Sequence, residues 1–235
     1  MDHEDVPFLA KLADNVCLSG GAAGADVTWG NEAVKAGHQV IHWSFDGHKS
    51  QDPDNSYILT QEELDEANDY LKEANLTLKR RLDFKKFYIK LLQRNWYQVK
   101  YADTVYAVGT LNEKAVLYDY KKGMQIGYHI TNDRKDRMGI NGGTAWACQM
   151  YLDRYRRELG NMDFKLVFYE QDKREILFYS PREGYWIPWG HATSLTTVST
   201  NVGLLSPSGI YAAIGTRDLK PNGVTFIKEM FNRCP

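Results

Sequence analysis

The stretch SGGAAGAD, residues 19–26, lies between a short apolar run and a helical pattern. Residues 15–19 (NVCLS) predict a buried strand, and residues 38–43 (HQVIHW) predict the next strand. Residues 26–36 between them predict a helix, which Gly37 closes as its C-cap. A strand, a glycine turn, a helix and a second strand make up a βαβ unit with parallel pairing. The sequence therefore predicts an α/β protein.

The glycine turn itself predicts a site for an anion. Phosphate binding needs backbone N–H groups that point at the ligand and no side chains in the way. Small residues between a strand and a helix N-terminus meet both needs, and the helix dipole attracts negative charge. The spacing of residues 19–26 matches neither the GxGxxG fingerprint nor the GxxxxGK[ST] phosphate loop. A turn that only lets the helix and strand approach closely therefore remains the alternative.

Two further glycine turns are predicted at the same edge of the sheet. Residues 141–144 (NGGT) directly precede a helix, and Thr144 there can cap the helix or donate to a phosphate oxygen. Residues 215–218 (GTRD) follow a predicted strand, and Arg217 there can hold a phosphate in a bidentate manner or pair with Asp218. Ligands of open α/β sheets bind at the carboxyl ends of strands, so the turns strengthen one another as evidence for a site.

The remaining patterns predict one domain over residues 1–235. They are a helix over 7–14, a helix that starts at the capping box TQEE (60–63), a helix at 78–98, a strand at 103–109, a hairpin within 116–130, a helix at 145–159, strands at 164–169 and 175–180, a segment beside them at 185–189, a strand at 210–215 and a helix at 224–231. Residues 44–58 and 190–208 are predicted as loops. About five strands of the parallel kind, interleaved helices and an added β-hairpin predict a Rossmann-like three-layer α/β sandwich with a mostly parallel central sheet.

The composition favours a cytoplasmic protein. The net charge is −1, whereas a general nucleic-acid binder needs a surplus of basic residues, although a local basic face is compatible with this total. The N-terminus lacks the apolar run of a signal peptide, and no stretch of about 18 apolar residues predicts a membrane span. Three distant cysteines, at 17, 148 and 234, fit reduced thiols. We expect no structural metal, because neither the cysteines nor the six histidines have the spacing of a ligand set.

Four motifs together resemble those of the SLOG superfamily. They are the SGG turn at 19–26, the helical pair Arg94-Asn95, the GGT turn at 142–144 and the GTRD turn at 215–218. SLOG is a Rossmann-like group that includes the YpsA-type proteins, the DprA-like DNA-processing proteins and the LOG-type phosphoribohydrolases. In the usual SLOG order the GTRD-type strand comes before the SGG strand, whereas here it comes last. The chain thus resembles the circularly permuted YpsA-type branch, with strand 210–215 serving as the usual first strand. The inserts near 44–75, 110–140 and 160–208 are not covered by the resemblance.

The resemblance implies a nucleotide-type ligand across the glycine turns. The residues expected to bind it are Ser19, Gly20, Gly21, Ala22, Gly24, Arg94, Asn95, Gly109, Gly142, Gly143, Thr144, Gly215 and Thr216. If the protein is an enzyme, we expect two catalytic residues. Asp26 would act as a base or accept a ribose hydroxyl, and Arg217 would stabilise charge. The alternative for Asp26 is that it caps its own helix. We expect no other cofactor.

The first functional hypothesis is a binder or sensor of a small nucleotide, such as an ADP-ribose-like or cyclic nucleotide signal. Such a protein needs the phosphate turns and an aromatic side chain that stacks on the base. The candidates for stacking are Trp29, Trp43, Trp146, Trp186 and Trp189, although most tryptophans at such places are core residues. A homo-oligomer is compatible with this function.

Two other functional classes remain open. One is a hydrolase that cleaves an N-glycosidic or phosphoester bond of a nucleotide. The LOG-type enzymes carry the signature PGGxGTxxE, whereas this chain has a GGT turn without the matching glutamate, since residues 143–147 read GTAWA. The other is a single-stranded DNA-binding module that uses the basic residues of 79–90 (KRRLDFKKFYIK). The ordinary interpretation of that charge is a solvated helix face, and the net charge of the chain does not favour nucleic acid as a partner.

Overall fold

A computed structural model describes residues 13–112, 114–121, 123–130, 136, 138–158, 165–189 and 206–232. The helix predicted over 7–14 and the loop predicted over 190–208 therefore lie largely outside the described residues, as does Cys234. Within the described part, the chain forms β1 (Val16–Ser19), α1 (Ala25–Lys35), β2 (Gln39–Phe45), β3 (Ser56–Leu59), α2 (Gln61–Leu78), α3 (Tyr88–Lys100), β4 (Thr104–Gly109), β5 (Lys114–Asp119), β6 (Met124–Ile130), α4 (Thr144–Glu158), β7 (Lys165–Glu170), β8 (Glu175–Ser180), β9 (Tyr185–Pro188), β10 (Ile210–Gly215) and α5 (Pro221–Asn232).

The strands form one sheet in the order β3-β2-β1-β10-β4-β7-β8-β9-β6-β5. Pairing is parallel from β3 to β7 and antiparallel from β7 to β5. The predicted α/β fold with a mostly parallel sheet is confirmed, with six strands rather than about five in the parallel part. The strand β10 lies in the middle of that part, between β1 and β4.

Helices cover both faces of the parallel strands. The helices α1 and α5 pack on one face, where Cys17, Trp29 and Phe226 are buried together. The helices α2, α3 and α4 pack on the other face, where Leu18 and Trp96 belong to a second buried cluster. Neighbouring residues of a strand point to opposite faces, so Cys17 and Leu18 of β1 belong to different clusters. Helix, sheet and helix thus form three layers, as in a Rossmann-like sandwich.

Several local predictions are confirmed by hydrogen bonds. The capping box of α2 is present, because Glu63 N–H donates to Thr60 Oγ1 at 3.2 Å and Thr60 N–H donates to Glu63 Oε2 at 2.7 Å. The hairpin predicted within 116–130 is the antiparallel pair β5–β6. The strands β7 and β8 form the second predicted hairpin, and β9 pairs with β8.

Two predicted boundaries were wrong. The segment 44–58, predicted as a loop, begins with the last two residues of β2 and ends with three residues of the edge strand β3, whose four residues are too few for a clear alternating pattern. The helix predicted at 78–98 begins only at Tyr88. Lys79 ends α2 in the left-handed conformation, with φ 51°. Asp83 then holds a turn, because its carboxylate accepts the Lys85 N–H at 3.1 Å and its carbonyl accepts the Lys86 N–H at 3.1 Å.

Candidate functional site

The turns after β1 and β10 contact each other directly. Gly24 has φ 92° and ψ −129°, a combination that favours glycine. A Cβ atom on Gly24 would lie 2.6 Å from the carbonyl oxygen of Thr216. That same carbonyl accepts the N–H of Ala25 at 2.9 Å. Ser19 Oγ adds a second link, because it donates to the Ala213 carbonyl of β10 at 2.8 Å. The sequence-distant SGG and GTRD turns therefore form one unit.

A buried ion pair lies beneath this unit. Arg94 Nη2 is 3.6 Å from Asp26 Oδ2, and both side chains are buried. Arg94 Nη1 also donates to the carbonyl of Gly20. Asp26 accepts two further hydrogen bonds, from the N–H of Gly215 at 3.2 Å and from Gln98 Nε2 at 3.4 Å. Asp26 does not cap its own helix, since α1 has no side-chain capping hydrogen bond. Its carboxylate instead joins α3 to the end of β10.

Burial and the neighbouring polar groups have opposite effects on the pKa values of Asp26 and Arg94. Burial raises the pKa of Asp26, and the Arg94 guanidinium and the Gly215 N–H partly offset that rise. Burial lowers the pKa of Arg94, and the Asp26 carboxylate opposes this change. Two buried charges stabilise a fold only when hydrogen bonds satisfy their other polar atoms. The backbone of both turns supplies part of these hydrogen bonds, through the Gly20 carbonyl and the Gly215 N–H, so the pair is attached to both turns.

Asn95, the residue after Arg94, attaches the GGT turn to α3. Asn95 Nδ2 donates to the carbonyl of Gly143 at 3.2 Å. Arg80 holds the turn from the other side, since it donates to the carbonyls of Gly142 and Ile140 at 2.6 Å each. The helix α4 then begins at Thr144. The adjacent residues Arg94 and Asn95 thus connect the SGG and GGT turns at one edge of the sheet.

The three turns present backbone N–H groups that have no acceptor. Among the described residues, nothing accepts a hydrogen bond from the N–H groups of Gly21, Ala22, Ala23, Gly24, Gly142, Gly143, Thr144 and Arg217. Four of these residues are exposed to solvent, namely Ala23, Gly142, Gly143 and Arg217. Unpaired N–H groups at the start of α1 and α4 carry the positive end of each helix dipole. The edge is therefore suited to an anion with several oxygen atoms.

Two predicted residues have different surroundings from the rest. Gly109 ends β4, and a Cβ atom there would lie 3.4 Å from the ring of Phe168, which places it beside β7 rather than at the ion pair. Arg217 is exposed, and in the described part of the chain no ion pair joins it to Asp218. An exposed guanidinium that has no ion-pair partner among the described residues is available to a ligand.

Most of the tryptophans considered for base stacking are core residues. Four of them are at most 4% exposed, namely Trp29, Trp43, Trp146 and Trp186. Trp29 packs against Phe226 in the α1–α5 layer, with ring centroids 6.1 Å apart. Trp189 is partly buried and packs against Phe178 of β8 at 5.2 Å. The stacking prediction was therefore wrong for the four buried residues, and the core alternative holds for them.

Sequence reasoning missed two histidines beside the turns. His42 of β2 is buried, and its Nε2 lies 3.5 Å from Asp52 Oδ2. Its ring lies against α1, because a Cβ atom on Gly30 would be 2.6 Å from His42 Nε2. His48 follows β2, and its Nδ1 lies 2.9 Å from Ser44 Oγ. The available signal was the position of His48, which follows the carboxyl end of a parallel strand, whereas His42 lies in the middle of that strand.

The loop after β2 closes one side of the site. Gln51 N–H donates to the carbonyl of Gly21 at 2.8 Å, which holds the loop against the SGG turn. Burial, together with the positive charges of Arg94 and Arg217, lowers the pKa of His48 to about 4. His48 is therefore neutral at pH 7. An anion bound near these charges would raise the pKa of His48.

We expect His48→Asn to flatten the dependence of stability on pH. The pKa of His48 in the fold, about 4, is below its unfolded value of 6.5, so the unfolded chain binds more protons between these values. Stability is therefore complete above pH 6.5 and falls as the pH drops toward 4. The ring is partly exposed, which limits the expected loss to roughly 1 kcal/mol. Urea unfolding of both proteins from pH 4 to 7 measures the effect, and parallel curves would contradict the prediction.

Comparisons with known proteins add no family to this description. No family model, no curated protein and no solved structure matches the chain. Within the described residues, no helix has both the length and the apolar character needed to cross a membrane. In the same part of the chain, no group of three or more His, Cys, Asp or Glu residues is arranged to hold a metal ion. The geometry of the three turns is therefore the basis for a functional conclusion.

Proposed function

We propose that the protein binds a nucleotide or a phosphorylated nucleotide derivative at the edge formed by the three glycine turns. The observation that carries this proposal is the group of unpaired backbone N–H groups on all three turns. Several N–H donors, two helix N-termini and the exposed Arg217 favour a ligand with negatively charged oxygens. The residues that unite the turns, Arg94 and Asn95, occur in the SLOG-like pattern of the sequence, where such an edge holds a nucleotide-type ligand.

The sheet order supports the proposed circular permutation. If β10 is taken as the first strand, β1, β2 and β3 become the second, third and fourth, and β4 and β7 become the fifth and sixth. The parallel part then has the order 4-3-2-1-5-6, which reverses direction beside the first strand, as the order of a Rossmann sheet does. The site lies where this order reverses, at the ends of β10 and its neighbours. Ligands of open α/β sheets bind at that point.

Binding without turnover is favoured over hydrolysis by the surroundings of Asp26. A general base must reach the proton that it removes. The Asp26 carboxylate is buried and is already engaged by Arg94, Gly215 and Gln98. We therefore propose that Asp26 positions the turns, and that the protein acts as a binder or sensor.

A thermal-shift screen followed by chromatography tests the proposal. The panel consists of nucleoside monophosphates, NAD, ADP-ribose and cyclic dinucleotides. A ligand that raises the Tm and is recovered unchanged is the expected result. Recovery of free base or sugar phosphate would instead make the protein a hydrolase. If no compound in the panel raises the Tm, the turns have only a structural role.

We expect Arg217→Ala to weaken ligand binding without changing stability. The side chain is exposed and belongs to one of the three turns, so its loss removes a charge-assisted contact with the proposed ligand, worth about tenfold in affinity. Calorimetric titration with the stabilising nucleotide measures the Kd, and the Tm without ligand serves as the stability control. Lys228→Ala, an exposed change on α5, is the matched control and leaves the Kd unchanged. Equal Kd values for Arg217→Ala and the wild type would contradict a ligand at this edge.

A further inference from the structure

The connection between α2 and α3 concentrates positive charge. Residues 79–90, here called the basic segment, contain six basic residues and one acidic residue, in a chain whose net charge is −1. The basic residues are Lys79, Arg80, Arg81, Lys85, Lys86 and Lys90. Among the described residues, Arg80 pairs with Asp136 at 3.6 Å and no ion pair involves the other five. Cations without a carboxylate partner can replace the counterions of a phosphate chain.

Two phenylalanines of the basic segment are exposed. Phe84 is 40% exposed and Phe87 is 67% exposed. The edge of Phe87 contacts Phe45, with ring centroids 6.0 Å apart. The ammonium group of Lys72 lies 5.9 Å from the ring centroid of Phe84, which brings another cation to the same surface. Surfaces that bind single-stranded nucleic acid combine cations that follow the backbone with aromatic rings on which bases stack.

The basic segment lies along the rim of the candidate site. At its start Arg80 donates to the carbonyl of Gly142, and at its end Phe87 contacts Phe45 in the last position of β2. It therefore runs from the GGT turn to the loop that closes the site. The hydrogen bonds of Asp83 fix its central turn. A surface that is already ordered binds its ligand at a lower entropic cost.

We propose that the basic segment binds single-stranded nucleic acid. Lys79, Arg81, Lys85 and Lys86 contact phosphates, and unstacked bases pack on Phe84 and Phe87. A duplex binds less well, because its bases are already stacked. None of the four SLOG-like motifs lies within residues 79–90, and the segment uses none of the unpaired N–H groups. The proposal is therefore independent of the mononucleotide site.

Fluorescence anisotropy with labelled oligo-dT and oligo-U of about 20 nucleotides tests the proposal on the full chain. Between about 50 and 200 mM salt, log affinity is expected to fall linearly with log salt concentration, with a slope of about −0.7 per phosphate contact. Lys85→Glu/Lys86→Glu is expected to lower the affinity at least ~10-fold and to make the slope shallower by about 1.4. Phe87→Ala is expected to lower the affinity about tenfold at an unchanged slope.

The matched control is Lys35→Glu/Lys228→Glu, which changes two exposed lysines on α1 and α5, across the sheet. It changes the net charge by the same amount as Lys85→Glu/Lys86→Glu, and it is expected to leave oligonucleotide binding nearly unchanged. Circular dichroism confirms that each variant is folded. The proposal is overturned if the wild type does not bind at low salt, or if both double variants lose affinity equally. It is also overturned if polyglutamate or anionic vesicles bind as tightly as the oligonucleotides.

The two proposals fail in different ways. If the proposed function holds, Lys85→Glu/Lys86→Glu retains the thermal shift with a mononucleotide while it loses the oligonucleotide. If the wild type shows no mononucleotide shift but binds oligonucleotides through the basic segment, only the proposed function is overturned. If the mononucleotide shift is present and the basic segment is irrelevant to oligonucleotide affinity, only the present inference is overturned.

Discussion

Replacing Arg94 with methionine is expected to lower the free energy of unfolding by about 3–5 kcal/mol. Methionine keeps much of the apolar stem of arginine, but it leaves the buried Asp26 carboxylate without its counter-charge. The carbonyl of Gly20 loses its donor at the same time. Urea denaturation at pH 8, followed by tryptophan fluorescence, measures the loss.

The same variant is expected to become less stable as the pH rises. Burial already raises the pKa of Asp26, and Arg94 is the main charge that opposes this rise. A carboxyl whose pKa is higher in the fold binds more protons when folded, so stability falls with increasing pH. The deficit of Arg94→Met is therefore larger at pH 8 than at pH 5. Adding Asp26→Asn removes the buried charge and should restore at least half of the loss at pH 8. A deficit below ~1 kcal/mol would contradict the buried ion pair.

Replacing Gly24 with alanine is expected to cost about 3 kcal/mol and to abolish the proposed nucleotide binding. The backbone of Gly24 has φ 92°, which an alanine adopts only with strain. The added Cβ would also lie 2.6 Å from the Thr216 carbonyl oxygen. Because that neighbour is backbone, it can move only if the turn after β10 moves away from the turn after β1. Thermal denaturation with and without the stabilising nucleotide measures both effects.

Gly37→Ala is the control for Gly24→Ala, because it introduces a similar backbone strain without a steric contact. Gly37 has a similar φ of 79°, but no atom lies within 4 Å of the position that a Cβ would occupy. Only the backbone strain remains, which costs roughly 1 kcal/mol. Nucleotide binding should be unaffected, since Gly37 lies at the other end of α1. If Gly24→Ala costs no more than Gly37→Ala, the contact between the two turns does not contribute to stability.

Local patterns predicted much of the fold. The βαβ unit around residues 19–26, the α2 capping box and both hairpins depend on turn and cap chemistry that neighbouring residues specify. Tertiary contacts decided the rest. The strand β3 has four residues and exists because β2 offers it a parallel partner. Apolar residues at helical spacing between 82 and 91 suggested one long helix, but Asp83 stabilises a turn there instead.

The site was predicted unevenly for a physical reason. The glycine turns could be predicted from the sequence, because a backbone that approaches a ligand or another turn closely has room only for small residues. Arg94 and Asn95 were visible only through the SLOG-like pattern, since a charged residue on a predicted helix ordinarily faces solvent. His48 carried no such pattern, and it drew attention only because burial and the charges of Arg94 and Arg217 lower its pKa. The tryptophans were misjudged because sequence alone does not distinguish a buried ring from one that lines a pocket.

The position of β10 affects how the chain reaches its native state. Residues 210–215 follow the other strands of the described chain in sequence, yet they occupy the centre of the parallel sheet, with β1 on one side and β4 on the other. Before β10 docks, β1 and β4 lack their native neighbour, and both keep an open edge of backbone hydrogen-bonding groups. Such edges pair readily with the wrong strand or with another chain. The docking of β10 therefore removes both exposed edges in one step.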